Sequence, residues 1–463
     1  MGEGTKPRVT PIPLHIDMDK SLGLPSPQTR EPSYDGTVTL PTPTSKPGTL
    51  IRYQPPDSFP IFKSGDVIIK TDLGPSPTTF QLHSPVLCQH SHYFANAILN
   101  YPSDEQRPSW YSFTIEEADG KVRLVRQQSN GDCPNISHNG LQMIEGTEIK
   151  PEDVSDDNSV ITPSSSSSTD PTLVNRKPKY TTAIACYTQM LASFYTIAPQ
   201  ISTTGIGTAL VQSEKLVKIA TELGCVHLLQ AHLGNIYAQY RKKLFLAIKS
   251  DPPRWMQLAI ALENKTIYTE CLIHMVGAHP KWPWTTSRKG LAESTQHLIR
   301  QKASELDRLR VEVERDILLI NLNIGGGYGH LGHAPDPTQR TEIETWMTVQ
   351  VFRDEIAKRI SAVERHKDHS LLWGTLYRKM HKGTLPWLES DHVREVCEST
   401  MKTNWKEMSE DMIKLRAYAA KVVEKLAVNE LMIEPDTNGV GYLTCVQVRD
   451  ADVPWLVSSV NRA

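Results

Sequence analysis

The chain has 463 residues, a formal net charge of -2 and a sequence pI near 6.8, so no global electrostatic pull toward nucleic acid or an anionic membrane acts on it. Its length accommodates two or three domains, and no apolar run approaches membrane-spanning length. The seven cysteines (88, 133, 186, 225, 271, 397 and 445) are scattered, odd in number and never spaced Cys-x-x-Cys, which fits reduced core cysteines in an intracellular protein, nuclear or cytoplasmic, rather than a disulfide framework. The start MGEGTKPRV lacks the basic and apolar regions of a secretory signal, and Lys6 stands where myristoylation after Gly2 expects Ser or Thr. The basic runs Arg176 to Lys179 and Arg241 to Lys243 are short and read as linker charges or solvated helix ends.

In chain order, residues 1–57 are rich in Pro, Ser and Thr with few clustered aliphatics, and are expected to form a disordered tail. Val67, Ile68 and Ile69 form a β-favouring run, Gly74-Pro-Ser-Pro77 turns the chain, and Phe80 and Leu82 alternate on a returning strand. Ser84 is placed to supply an N-cap oxygen and Pro85 a preset first helical turn. Val86, Leu87, His90, Phe94, Ala97 and Ile98 then follow at helical spacing, so one helix is expected up to Asn100-Tyr-Pro102. Tyr111, Phe113 and Ile115 alternate as a further strand, with Val122 and Leu124 adding another. Residues 127–179 hold the acidic cluster Glu152, Asp153, Asp156 and Asp157 and the serine run 164–168, and are expected to be a low-complexity insertion. Ser26-Pro27 and Thr162-Pro163 fit proline-directed phosphorylation and, equally, plain linker composition. Ile184, Tyr187, Leu191, Phe194 and Tyr195 share one helical face. Leu216, Ile219, Ala220 and Leu223, then Val226, Leu229, Leu233 and Ile236, predict two helices joined at Gly224.

The run Phe80-x-x-His83-x-x-Val86-Leu87-x-x-x-Ser91-x-x-Phe94, opened by the acidic Asp66 at the first strand, resembles the front of a BTB/POZ domain. The helix from Tyr180 looks like that family's third core helix, and the pair broken at Gly224 completes the set. The resemblance covers 58–237, interrupted at about 127–179. It implies an α+β domain that binds proteins, often by self-pairing into a homodimer, through its first helix and neighbouring elements, with Asp66, Phe80, His83, Val86, Leu87, Ser91 and Phe94 as the motif residues. It also implies, as family roles, an adaptor for a cullin-type ubiquitin ligase or a transcriptional corepressor platform. The chain departs from both specialised patterns. Ser84 stands where dimeric transcriptional members carry a basic partner for the acidic residue. The nearest match to the apolar-x-Glu motif of cullin adaptors is Ser103-Asp104-Glu105.

Residues 238–434 are expected to be all-helical, with antiparallel helices broken at Pro252-Pro253. From Ser287 to Ile320, Ile299, Leu306, Val313 and Ile320 recur seven apart, but the stretch is short and Lys302 and Asp316 fall on the seam, so a bundle helix is expected rather than a coiled coil. Thr341 to His366 and Glu389 to Leu431 predict further helices. In the final segment, 435–463, a turn at Gly439-Val-Gly441 leads to an expected strand, Tyr442 to Val448. Tyr442-Leu-Thr-Cys445 with Asp450-x-Asp452-x-Pro454-Trp455 is similar to C-terminal segments of fungal BTB-domain proteins.

Three patterns bear on chemistry. Gly327-Tyr-Gly329-His-Leu-Gly332 satisfies the dinucleotide fingerprint, but a helical run precedes it and Pro335 and Pro337 follow, so the strand and helix that the fingerprint needs are missing. His330 and His333 with His366 and His369 offer four imidazoles, but no Cys, Asp or Glu completes a ligand spacing. Asp436-x-Asn438-x-x-Gly441 imitates part of a calcium loop, with Val440 at an oxygen-ligand position and Gln447 replacing the terminal glutamate; a hairpin turn explains it better. The expectation is therefore a non-enzymatic interaction protein with no cofactor, no metal and no direct nucleic-acid or membrane partner. The alternative is a nucleotide- or metal-dependent enzyme using the Gly327 to Gly332 loop and nearby histidines.

Overall fold

The computed structural model describes residues 57–74, 76–99, 110–127, 180–322, 340–386, 395, 398–399 and 405–460. The expected tail but for Asp57, all but the first residue of the expected insertion, Ser103 to Glu105 and the Gly327 to Gly332 loop with His330 and His333 lie outside the described residues.

Strands β1 (Val67–Thr71) and β2 (Thr78–Leu82) pair antiparallel, with Val67 opposite Leu82. Strand β3 (Tyr111–Ala118) returns parallel to β1, with Val67 opposite Tyr111, and β4 (Lys121–Gln127) folds back antiparallel on β3, giving the order β2-β1-β3-β4. Val67, Ile68 and Ile69 are all buried because β1 lies inside the sheet with both faces covered, so it reads as a continuous apolar run. Asp119 and Gly120 join β3 to β4 with φ of 54° and 73°, the paired positive angles that a tight two-residue hairpin requires.

The single helix expected after β2 is two helices, α1 (Ser84–His90) and α2 (His92–Leu99). Ser91 separates them in extended conformation, φ -135° and ψ 118°. Its buried hydroxyl donates to the Leu223 carbonyl at 2.5 Å and accepts from the Phe94 N–H at 3.2 Å, so a side-chain bond replaces the helical one and the chain turns. Helix α3 (Thr181–Ser193) precedes α4 (Ile206–Leu223) and α5 (His227–Gln239), and Gly224 between the last two takes the left-handed conformation, φ 66°, as the sequence predicts.

The described residues from Asp57 onward form one compact unit with mixed α+β structure. Helices α6 (Lys242–Ser250) and α7 (Pro252–Ala261) part at Asp251, beside the predicted Pro252-Pro253 break. Both pack on α4, and the Tyr237 ring meets Trp255 edge-on at 5.3 Å, so the core runs on across the 237/238 boundary. Helix α8 (Lys265–Ala278), capped by the Asn264 side chain on the Ile267 N–H at 3.1 Å, is buried from Glu270 through Ala278. Helix α9 (Glu293–Leu318) packs on α8, and Trp455 of the helix Pro454–Val460 meets Tyr268 of α8 edge-on at 5.3 Å. Helix α10 (Arg340–Glu364) packs on the helix Trp405–Val422, which with Glu424–Ala427 also meets α9 and α11 (Trp373–His381). Ile299, Leu306, Val313 and Ile317 are the buried seam of α9. Lys302 on that seam is neutralised by Asp452 at 2.7 Å.

The expected strand Tyr442 to Val448 is not a strand. Its neighbours are helices, and it runs as an extended strap across α8 and α11. The Thr375 N–H donates to the Gly441 carbonyl and the Glu430 N–H to that of Thr444, while the Arg378 guanidinium takes the carbonyls of Val440 and Tyr442. A Cβ at Gly277 would stand 2.2 Å from the Leu443 oxygen, and one at Gly374 2.0 Å from the Tyr442 oxygen, so both helices need glycine where the strap crosses them.

Candidate functional site

The motif residues converge where β2 hands over to α1. His83 is the α1 N-cap, with extended backbone (φ -99°, ψ 124°) and no side-chain cap bond. Its N–H donates to the Tyr195 hydroxyl at 2.8 Å, which also lies 3.2 Å from His83 Nδ1, and Ser64 Oγ lies 2.9 Å from Nε2. Phe62 packs on the imidazole at 4.9 Å between centroids and stacks on Tyr195 at 4.6 Å. Burial pushes the Tyr195 phenol up against the lowering effect of the His83 N–H, so it stays protonated near neutral pH.

Ser84, expected as the N-cap, is instead the first helical residue, and the capping acceptor comes from Asp66. The Asp66 carboxylate receives the Ser84 N–H at 2.7 Å and the Ser84 hydroxyl at 2.5 Å. An anion at a helix N-terminus also meets the positive end of the helix dipole. Asp66 therefore has a local partner in place of the absent basic residue. Nearby, burial first and the Asp66 charge second push the Cys88 thiol up, which keeps it protonated.

Phe80, Leu87, Ser91 and Phe94 are buried, so these motif residues build the core. Asp66, His83 and Val86 are half-buried beside exposed Pro85 and Gln89, and these are the side chains that a partner laid on α1 can reach.

Of the histidine and calcium-loop patterns, His366, His369 and Asp436 lie among the described residues. His366 Nδ1 accepts from the Asp368 N–H at 3.1 Å, and no group of three or more metal-capable side chains occurs among the described residues. Asp436 is bonded by Arg378 at 2.7 Å and Lys382 at 2.8 Å. Against the upward push of burial, these two cations hold its carboxyl below the usual range.

A buried polar cluster escapes the sequence reading: Glu270 and His274 on α8 with Tyr442 on the strap. His274 Nδ1 lies 2.6 Å from the Tyr442 hydroxyl, Nε2 lies 3.8 Å from Glu270, and the Met432 N–H donates to the Glu270 carboxyl at 3.0 Å. The only advance signal is the i, i+4 spacing of two titratable residues within an apolar helix. Burial pushes Glu270 up to about 7 and His274 down to about 3. Glu270 thus contributes stability that is full below its unfolded value and lost as pH rises through 7. His274 contributes stability that is full above its unfolded value and lost as pH falls toward 3. Across roughly pH 4.5 to 6.5 the two slopes oppose each other and largely cancel. Glu270→Gln removes one of them, so relative to wild type the variant's stability should climb by about 1 kcal/mol per pH unit over that window. Urea denaturation of both proteins at matched pH values checks this, and parallel profiles would show that the pair does not titrate on folding.

Family models, curated proteins and solved structures gave no match to the chain. Among the described residues no helix is long and apolar enough to cross a membrane.

Proposed function

We propose that the chain is a non-enzymatic interaction protein working through a BTB/POZ-like domain, and that it pairs with itself through the α1 face. The observation that carries this reading is the order of elements. A β1-β2 hairpin passes through the His83 corner into the paired helices α1 and α2, β3 returns parallel to β1, and α3 and the α4-α5 pair follow. The motif residues support it because they occupy that corner and the core directly beneath it.

Pairing of this kind rests on the apolar side chains of α1 rather than on a charged pocket, since the Asp66 carboxylate is engaged by Ser84. Adaptor roles toward a cullin scaffold or a transcriptional assembly are compatible with such a domain.

Sedimentation velocity on the full chain tests the reading. A dimer is expected at tens of micromolar, with Val86→Glu shifting it to monomer and Asp66→Asn weakening it only modestly. A wild-type monomer at that concentration would overturn self-pairing, and complete dissociation by Asp66→Asn would assign the contact to the carboxylate instead.

A further inference from the structure

A second surface, remote in sequence from α1, carries a different chemistry. A cavity of about 340 Å³ between β4, α3 and α4 is bordered by four cations, Lys121 and Arg123 on the strand and Lys215 and Lys218 on the helix. Glu222 is the one carboxylate lining it. This accumulation stands out in a chain whose formal charge is -2. Among the described residues none of the four cations has an ion-pair partner. Glu214, next to Lys215, is taken by both guanidinium arms of Arg254 at 2.6 Å. Between the two basic rims, Val122, Tyr187 and Ile219 supply an apolar floor.

We propose that this groove docks a short acidic peptide segment of a partner protein. Lys121 and Arg123 are two residues apart on β4, which separates them by about 7 Å, the distance between same-face side chains of any extended peptide. A peptide with carboxylates at every second position therefore matches the strand rim in register, and intervening aliphatic side chains suit the floor. Peptide is favoured over single-stranded nucleic acid because base stacking needs a free aromatic face. The aromatic ring in this groove, Tyr187, is itself buried, with its hydroxyl on the Val122 carbonyl at 3.3 Å.

The probe is a fluorescein-labelled ten-residue peptide of alternating Glu and Leu, titrated with the full chain and read by fluorescence anisotropy. Saturable binding in the range of tens of micromolar is expected, falling as salt rises. Lys215→Glu with Lys218→Glu should weaken it about tenfold or more. Both lysines are exposed, so an unchanged thermal melt is expected for that variant; Lys121→Glu with Arg123→Glu on the opposite rim gives an independent second variant. Absence of saturation, equal binding by both reversed variants, or equal binding of an alternating Lys and Leu peptide would overturn the proposal. Tighter binding of a thymidine decamer, lost in the same variants, would also overturn it and assign the groove to nucleic acid. Because neither variant touches α1, a failed dimer test and a failed peptide test are separate results.

Discussion

Phe94→Ala should destabilise the protein by about 3 to 5 kcal/mol, the cost of deleting a buried aromatic ring that its surroundings cannot replace. The ring is fully buried, edge-on to Phe113 at 5.3 Å and to Phe194 at 6.0 Å, with Tyr93 at 5.5 Å. These contacts tie α2 to β3 and to the C-terminal end of α3, so collapse around the vacancy would have to move three elements together. Phe94→Leu should lose less, because it keeps part of the volume. Urea denaturation of the full chain checks both, and a loss under 1 kcal/mol for alanine would mean that the corner repacks freely.

The second large effect is expected at Arg378. Its side chain is 3% exposed and bridges the Asp436 carboxylate to the Val440 and Tyr442 carbonyls, holding the strap against α11. Arg378→Met keeps the length but leaves two carbonyls and part of a carboxylate without donors, at a cost of about 3 to 5 kcal/mol. Arg378→Lys should recover only part of it, since a single ammonium cannot reproduce the planar fork. Limited proteolysis should show earlier cleavage near residues 436–442 in both variants, and an unaltered pattern with unaltered stability would argue that the strap is held by its apolar side chains alone.

Much of the first corner is legible in the sequence, because local rules and packing agree there. The run Val67 to Ile69, the alternation at Phe80 and Leu82, and Gly224 at a left-handed cap each carry their own signal. Ser91 does not. Its helical spacing is intact, and the break arises from a hydroxyl meeting the Leu223 carbonyl, 132 residues away in the chain. Capping of α1 is similarly non-local, since Ser84 is the residue type expected at an N-cap while the acceptor is supplied 18 residues earlier. Helix α11 carries little signal of its own, because its apolar face, Trp373, Leu376, Tyr377 and Met380, spans only about two turns. The strap departs from its expected strand for a different reason. Tyr442 to Val448 has strand composition, but a strand needs a neighbouring strand, and here the backbone partners are Thr375 of α11, Glu430 in a non-helical segment and the Arg378 guanidinium.

That strap also orders events during synthesis. The face of α8 that it covers is made well over a hundred residues before Tyr442 and Leu443, which supply the contacts at Gly277 and His274, emerge. A nascent chain must therefore carry an apolar helix with an open flank until residues near 440 leave the ribosome, a span in which chaperone capture competes with closure. Premature stops anywhere between 280 and 440 should converge on one fate, degradation, whether they remove most of the helical region or only the strap and the residues after it.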